Sequence, residues 1–388
     1  MKKGFLFLTC LCALALSSCG KAKEDSKTCS VNVYDIDGEK LFSKDISFKE
    51  GDNLLTLLKD NTTVKTETSQ YGEYIFSIAN SVVDPNYYLA IYENDLYSQT
   101  SIDGIEINDK DKFDFKVECY NPNFTEADYI IDQALYKYAK TKFKENIAID
   151  SFKNSEGKTT SNYWDFMLSR LMVKNGYDTF KIEGIYKDSF KTSLKNYDVE
   201  TLTGTDLGVY YYISTAMGIN VSDAYKNHYN AYVKETLNTG YGFYGEYSRP
   251  FDLSIASILS DTETKTNIYE LIDSYSCDTE YGYDGYCWYL ASKALFGDVD
   301  DDFVISLQPN AISEALLLLP FAATNNPNFK SVLTDLISNY YDKTNNVFFY
   351  NNETKANGLD FFGANQVYAA LATIKVFRDM GVSANLFA

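Results

Sequence analysis

The chain has 388 residues and a formal net charge of −19 at pH 7, and its aromatic residues are mostly tyrosine (34) and phenylalanine (25). An acid excess of this size repels phosphate backbones and anionic headgroups, so it argues against a nucleic-acid partner. The length predicts two domains with buried cores. After the amino-terminal stretch, no segment approaches the roughly 18 apolar residues that a membrane helix requires.

Residues 1–18 have the order of a secretion signal: two lysines, an apolar run too short to cross a bilayer, and small residues before Cys19. This order resembles a bacterial lipoprotein signal. The resemblance implies cleavage before Cys19, a lipid on that cysteine, a polar tether over residues 19–28, and a position on the outer face of the cytoplasmic membrane. The mature chain then loses two lysines and no acids, which takes its net charge from −19 to −21. An ordinary secretory signal that contains a cysteine is the alternative.

Four cysteines remain after the signal is removed and Cys19 is lipidated. Outside the membrane an even number predicts disulfides. The positions favour pairing Cys29 with Cys119, which bracket the first domain, and Cys277 with Cys287, which bracket an acidic loop. A metal site or free thiols are the alternatives, although no histidine lies near these cysteines and their spacings differ from those of zinc motifs.

Residues 29–120 have the alternating pattern of β-strands. Two alternating runs around the turn at 35–38 predict a hairpin, and Asp35 and Asp37 in that turn lack the glycine and closing glutamate of a calcium loop. A short helix is expected over 52–59. Further strands are predicted at 74–78, 87–92 and 112–118.

From Thr125 onward the apolar period becomes helical. The predicted helices cover 126–145, 163–175, 186–196, 205–218, 222–238, 250–260, 264–275, 285–296, 310–323, 329–341 and 361–380, with a short one near 300–307.

Similar loops precede the apolar helices of this half. The loops are marked by Trp164, Asp206, Asp252, Asp284, Asn310 and Asp360, at a loose spacing of about 40 residues. Six helical hairpins that each bury an apolar face predict a closed ring, an α/α toroid, with an open superhelix as the alternative. Its inner helices are expected at 311–321 and 366–376, which are apolar almost all round.

Three stretches, 48–55, 71–78 and 87–94, together with 102–105, resemble the small β-domain of transcobalamin and intrinsic factor. Residues 125–388 are similar to the α6/α6 toroid of terpenoid cyclases and prenyltransferases, which is also the other half of the cobalamin carriers. The carriers place the toroid first, whereas this chain places it second. The resemblance implies a multidomain α and β protein, with a small mostly-β domain followed by an α6/α6 toroid.

The resemblance also implies a function: capture of cobalamin or another corrinoid between the two domains, for delivery to a membrane vitamin transporter. Cobalamin is then a ligand, and neither a catalytic residue, a metal nor an enzyme cofactor is expected. The candidate ligand-binding residues are Tyr87, Tyr88, Tyr92, Asn94, Asp206, Tyr210, Tyr244, Asp252, Tyr283, Asp284, Tyr286 and Asp360. They combine aromatic surface with the hydrogen-bond partners that an amide-fringed ligand needs.

Two other functions stay open: a glycan-acting or glycan-binding protein, and an adhesion module without a small ligand. Glycoside hydrolysis needs two carboxylates at a set distance. The candidates are Glu246, Asp252, Asp284, Glu314 and Asp360. The run at 298–301 matches the acid motif of protonating terpene cyclases, but its place at a helix end indicates a solvated turn. We interpret His228 as a residue at the surface of its helix or at the boundary with the core. The alternative is that its imidazole coordinates cobalt.

Overall fold

The computed structural model describes residues 26–69, 72–81, 83–144, 163–182, 191, 205–239, 249–260, 262–273, 283–295, 310–350 and 364–382. They form two compact units, of which the first ends at Tyr120 and the second begins at Asn121. The first is a small β-sheet region with one short helix, and the second is mainly helical. The predicted signal and lipidation site, the predicted helix near 300–307 and the 298–301 run lie outside the described residues, as does the predicted helix at 186–196 apart from residue 191.

The first unit is built on a five-stranded sheet in the order β2-β1-β7-β5-β6. Its strands are β1 (Lys27–Tyr34), β2 (Lys40–Phe48), β5 (Tyr87–Glu93), β6 (Leu96–Tyr97) and β7 (Lys112–Cys119). The strands β3 (Val64–Ser69) and β4 (Gly72–Ile78) form a separate two-stranded sheet, and α1 (Leu54–Asn61) precedes them.

The predicted hairpin of β1 and β2 is confirmed. Its turn is closed by the Gly38 N–H, which donates to the Asp35 carbonyl at 2.9 Å, and Gly38 has a φ of 77° that favours glycine. The alternation of β1 sends Val31 and Val33 to a face where both are 0% exposed. The core of this unit therefore lies on one face of the sheet, and the opposite face is polar and aromatic.

The predicted disulfide between Cys29 and Cys119 is wrong. The strands β1 and β7 are parallel, with Ser30 opposite Lys112, and Cys119 lies at the far end of β7. Seven residues at about 3.3 Å each place Cys119 roughly 23 Å along the strand from Lys112, whereas a disulfide needs Cα atoms within about 7 Å. Cys29 is instead a buried free thiol, and burial, with a contribution from Asp111, raises its pKa to about 11. Cys277 lies outside the described residues, so its pairing with Cys287 stays a prediction.

The second unit contains ten described helices, and each was predicted with ends within about four residues. They are α2 (Glu126–Lys144), α3 (Tyr163–Lys174), α4 (Thr205–Ala216), α5 (Asp223–Thr239), α6 (Arg249–Leu259), α7 (Thr262–Asp273), α8 (Tyr283–Leu295), α9 (Ala311–Thr324), α10 (Phe329–Tyr340) and α11 (Asn365–Met380). A short hairpin, β8 (Tyr341–Asp342) and β9 (Val347–Phe348), follows α10.

Six of these helices contact one another in a closed circuit. In chain order, α3 packs against α4, α4 against α6, α6 against α8, α8 against α9, α9 against α11, and α11 returns to α3. Outside the circuit, α7 packs against α6 and α8, α10 against α9, and α2 against α11. The two helices predicted to be innermost, α9 and α11, are buried along most of their length, which agrees with their nearly uniform apolar sequences.

A buried ionic network joins the last helix of this unit to its first. Arg378 of α11 donates two hydrogen bonds to Asp132 of α2, at 2.8 and 2.9 Å, and a third to Asp379 at 2.7 Å. Lys375, which is 0% exposed, lies 3.3 Å from Asp132 and 2.8 Å from Asp379. Tyr177 also donates to Asp379, at 2.8 Å. The charges are thus paired and hydrogen-bonded, as buried charges must be.

Candidate ligand-binding site

An aromatic surface lies on the polar face of the five-stranded sheet. The register pairs Tyr88 with Glu118 and Ala90 with Lys116. Since side chains two residues apart share a face, Tyr88 and Tyr92 of β5 project beside Lys116 and Glu118 of β7. Tyr97 of β6 lies opposite Tyr92 and shares this face. We call Tyr88, Tyr92, Tyr97, Lys116 and Glu118 the tyrosine surface.

Hydrogen bonds and ring contacts fix the side chains of the tyrosine surface. The Tyr92 hydroxyl donates to Glu118 Oε1 at 2.6 Å, and the Tyr88 hydroxyl donates to Oε2 at 3.5 Å. Lys116 Nζ lies 4.2 Å from the centroid of the Tyr92 ring. The Tyr97 ring meets the Tyr92 ring edge-on, with the centroids 5.8 Å apart. This arrangement favours a pre-organised surface.

The phenols of Tyr88 and Tyr92 are both held in the neutral form. The hydrogen bond to Glu118, helped by burial, raises the pKa of Tyr92 to about 12. Burial, together with the neighbouring Tyr97, raises the pKa of Tyr88 further. Glu118 supplies carboxylate oxygens between the two rings, so the tyrosine surface combines apolar ring faces with polar groups of both kinds.

The outer part of the tyrosine surface is exposed to solvent. Tyr97 is 50% exposed, although it is a large aromatic residue. Leu96, which is 74% exposed, pairs with Glu93 and so projects from the opposite face of the sheet. The turn before them is held by Asn94, whose side chain accepts from the Lys112 N–H at 2.9 Å and donates to Asp111 at 3.0 Å. An exposed aromatic ring beside partly buried hydrogen-bonding groups offers a ligand both apolar and polar contacts.

Next to the tyrosine surface, a polar network continues across the sheet. Asn32 donates to Asp114 at 2.8 Å and accepts from Ser43 at 2.8 Å. Lys112 bridges Asp114 at 3.0 Å and Asp95 at 2.7 Å. Asp114 is only 4% exposed, so these bonds satisfy a buried carboxylate. The network stiffens the strand that carries Lys116 and Glu118.

The structure brings together only some of the predicted residues of the β unit. Tyr88 and Tyr92 belong to the tyrosine surface, and Asn94 supports its turn. Tyr87 faces the other side of the sheet and is 3% exposed, so it is not part of this surface. Sequence reasoning missed Tyr97 and Glu118, whose proximity to Tyr92 depends on strand register.

In the helical unit, acidic residues occupy the first turns of circuit helices. Asp165 of α3 is 1% exposed, while Asp252 of α6 and Glu314 of α9 are each 4% exposed. Asp206 of α4 is exposed. A carboxylate in the first turn is stabilised by the helix dipole. Tyr138 donates a hydrogen bond to Asp165, a residue that the sequence reasoning did not single out.

Burial and one charge shift the pKa of Glu314 strongly. Burial, with a smaller contribution from the Asp335 charge, raises it to about 7. Among the described residues, its Oε2 atom has no hydrogen-bond partner.

Three aromatic rings meet across the helix circuit near the helix starts. Trp164 of α3, Phe251 of α6 and Trp288 of α8 have ring centroids 5.1 Å apart in each pair. All three side chains are buried. They belong to three circuit helices, of which α3 is not a neighbour of α6 or α8 in the circuit. Their apolar contacts therefore stabilise the packing across the circuit.

The remaining predicted residues of this unit are spread over several helices. Tyr210 is 3% exposed, and Tyr286 is half-buried, with its ring 6.2 Å from that of Tyr289. The side chains of Tyr283 and Asp284, at the start of α8, are outside the described part, as are those of Tyr244, Glu246 and Asp360.

Within the described part of the chain, no group of three or more His, Cys, Asp and Glu side chains could hold a metal ion. His228 is half-buried on α5. Among the described helices, none is long and apolar enough to cross a membrane.

A family model described as a domain of unknown function, DUF4430, matches residues 51–118, a span that includes the tyrosine surface. A solved structure from Ruminococcus gnavus ATCC 29149, described as a "putative metal binding protein", is 21% identical with a TM-score of 0.21. The similarity covers 24% of this chain and 99% of that chain. No curated protein matches the chain.

Proposed function

We propose that this protein binds a small ligand through the tyrosine surface, and that the ligand is cobalamin or another corrinoid. The observation that carries the proposal is the half-exposed Tyr97 ring beside two neutral phenols and the Glu118 carboxylate on one face of the sheet. Aromatic rings and hydrogen-bonding groups held together on one accessible face are the features that a small-ligand site combines.

The chemistry of a corrinoid suits this arrangement. The ligand is broad and flat and is fringed with neutral amides, so it needs apolar contact area together with both donors and acceptors. The tyrosine surface provides ring faces for contact and Glu118 for amide N–H groups. The resemblance of residues 48–94 to the β-domain of cobalamin carriers supports the same ligand.

For the helical unit we propose an α/α toroid whose inner ring is the closed circuit of α3, α4, α6, α8, α9 and α11. The sequence in which the helices contact one another supports this proposal, since a ring of hairpins brings its last inner helix back to its first. We assign the unit no catalytic role. Its Trp164, Phe251 and Trp288 cluster serves packing in this account.

The proposal includes a lipid on Cys19 and a place outside the cell, both from the resemblance of residues 1–20 to a lipoprotein signal. A tethered binding protein at the membrane surface would pass its ligand to a membrane vitamin transporter.

Size-exclusion chromatography of purified residues 20–388 mixed with cyanocobalamin tests the proposed function. We expect the red ligand to elute with the protein, at one ligand per chain, and its visible spectrum to shift. A colourless protein peak at micromolar excess of ligand would contradict the corrinoid. Co-elution of an oligosaccharide instead would favour the glycan-binding alternative.

A further inference from the structure

A cleft of about 360 Å³ lies beside α3 in the helical unit. One wall is a stripe of α3 that includes Phe166, Ser169, Arg170 and Lys174, at helical spacing. The lining is completed by Val173 of α3, by Lys181 and Ile182 just after the short 3-10 helix Asp178–Phe180, and by Met217 just after α4. The cleft therefore has an apolar floor and a basic rim.

The charge of this cleft is opposite to that of the chain. Its described lining residues include Arg170, Lys174 and Lys181 and no carboxylate, in a chain whose net charge is −19. Lys174 and Lys181 are exposed, and neither forms an ion pair with any residue that the structure describes. In so acidic a chain, two lysines at one cleft, with no acidic residue in the described part of its lining, form a distinct local positive charge.

Arg170 is held in place at the wall of the cleft. Its guanidinium donates to the Tyr212 hydroxyl at 3.1 Å and lies 5.3 Å from the Tyr212 ring centroid. A guanidinium fixed in this way is pre-organised to contribute charge at a set position.

We propose that this cleft binds a small multivalent oxyanion, such as a compound carrying phosphate or carboxylate groups. Two ammonium groups and one guanidinium provide charge-assisted donors, which are the strong class of hydrogen bond to such oxygens. The acidic remainder of the chain does not prevent binding, because charges beyond about 8 Å are largely screened at physiological salt. A favourable interaction with the helix dipole can account for the position of Lys174 in the last turn of α3, but not for the positions of Lys181 and Arg170.

The proposal is tested by calorimetric titration of residues 20–388 with pyrophosphate and, separately, with citrate, at constant ionic strength set with sodium chloride. The test variant is K174Q/K181Q. The matched control is K234Q/K265Q, which removes the same charge from exposed positions on α5 and α7 of the same unit.

We expect saturable binding of at least one of the two anions by the wild type, and a loss of at least about tenfold in affinity in K174Q/K181Q. The control should stay within about twofold. The anion that binds more tightly identifies the phosphate or the carboxylate class. No binding of either anion at millimolar concentration, or an equal loss in both variants, would overturn the site. Cobalamin binding should be unchanged in K174Q/K181Q. A failure of the anion-binding proposal can therefore be distinguished from a failure of the proposed corrinoid binding.

Discussion

Replacing Glu314 by glutamine should stabilise the protein at alkaline pH and leave it unchanged in acid. Glu314 is 4% exposed, and its Oε2 atom has no hydrogen-bond partner among the described residues. Burial, with the Asp335 charge, raises its pKa to about 7. Glutamine keeps the shape of the side chain and cannot ionise.

The sign and size of this effect follow from the difference between folded and unfolded states. The pKa of an unfolded glutamate is about 4.3, so between about pH 4.3 and 7 the folded chain binds more protons than the unfolded chain. The free energy of unfolding should therefore fall as pH rises through this range. At 1.36 kcal/mol for each pH unit, the loss at pH 8 has an upper limit of roughly 3 to 4 kcal/mol. Below about pH 4 both states carry the proton and the effect vanishes.

Urea unfolding followed by circular dichroism at 222 nm, at several values between pH 4.5 and 8.5, measures this effect. We expect E314Q to gain stability relative to the wild type as pH rises, by at least about 1 kcal/mol at pH 8. The control is E270Q, at an exposed position on α7, which should follow the wild type at every pH. A difference between E314Q and wild type that does not vary with pH would refute the reasoning.

Two further predictions concern the fold. Arg378→Met leaves the Asp132 carboxylate of the ionic network without its bidentate partner, and should cost about 3–5 kcal/mol in urea unfolding. Lys226→Met, which removes only an exposed ion pair, should cost less than about 0.5 kcal/mol, and similar losses in both variants would argue against a buried network. In a non-reducing digest, Cys29 should react with iodoacetamide once the chain is unfolded, and a peptide that links Cys29 to Cys119 would show that the strand register is wrong.

Much of the fold could be predicted because its signal is local. The stripe of apolar residues in α9, from Ala311 onward, and the alternation of β1 each belong to one continuous segment. Strand β3 was missed because Val64 is its only apolar residue. Long-range pairing has no such local signal. Nothing in the sequence shows that β1 lies parallel to β7, and this arrangement separates Cys29 from Cys119.

The candidate site was predictable to a smaller extent. Alternation along β5 is enough to group Tyr88 with Tyr92, and it places Tyr87 on the other face. The positions of Tyr97 and Glu118 beside Tyr92 follow from pairing with β6 and β7, which sequence alone does not give. The burial of a charged residue such as Lys375 could not be predicted either, because its partner Asp132 is more than 200 residues away in the sequence.

Titration of cyanocobalamin into residues 20–388 and into the Tyr97→Ser variant tests the role of the tyrosine surface most directly. We expect saturable binding by the wild type and a loss of at least about 2 kcal/mol, roughly 30-fold, in Tyr97→Ser. Tyr74→Ser removes a side chain of similar exposure, 45%, on the separate β3–β4 sheet, and should bind like the wild type. Equal affinity of all three proteins, or no binding by the wild type, would contradict the account.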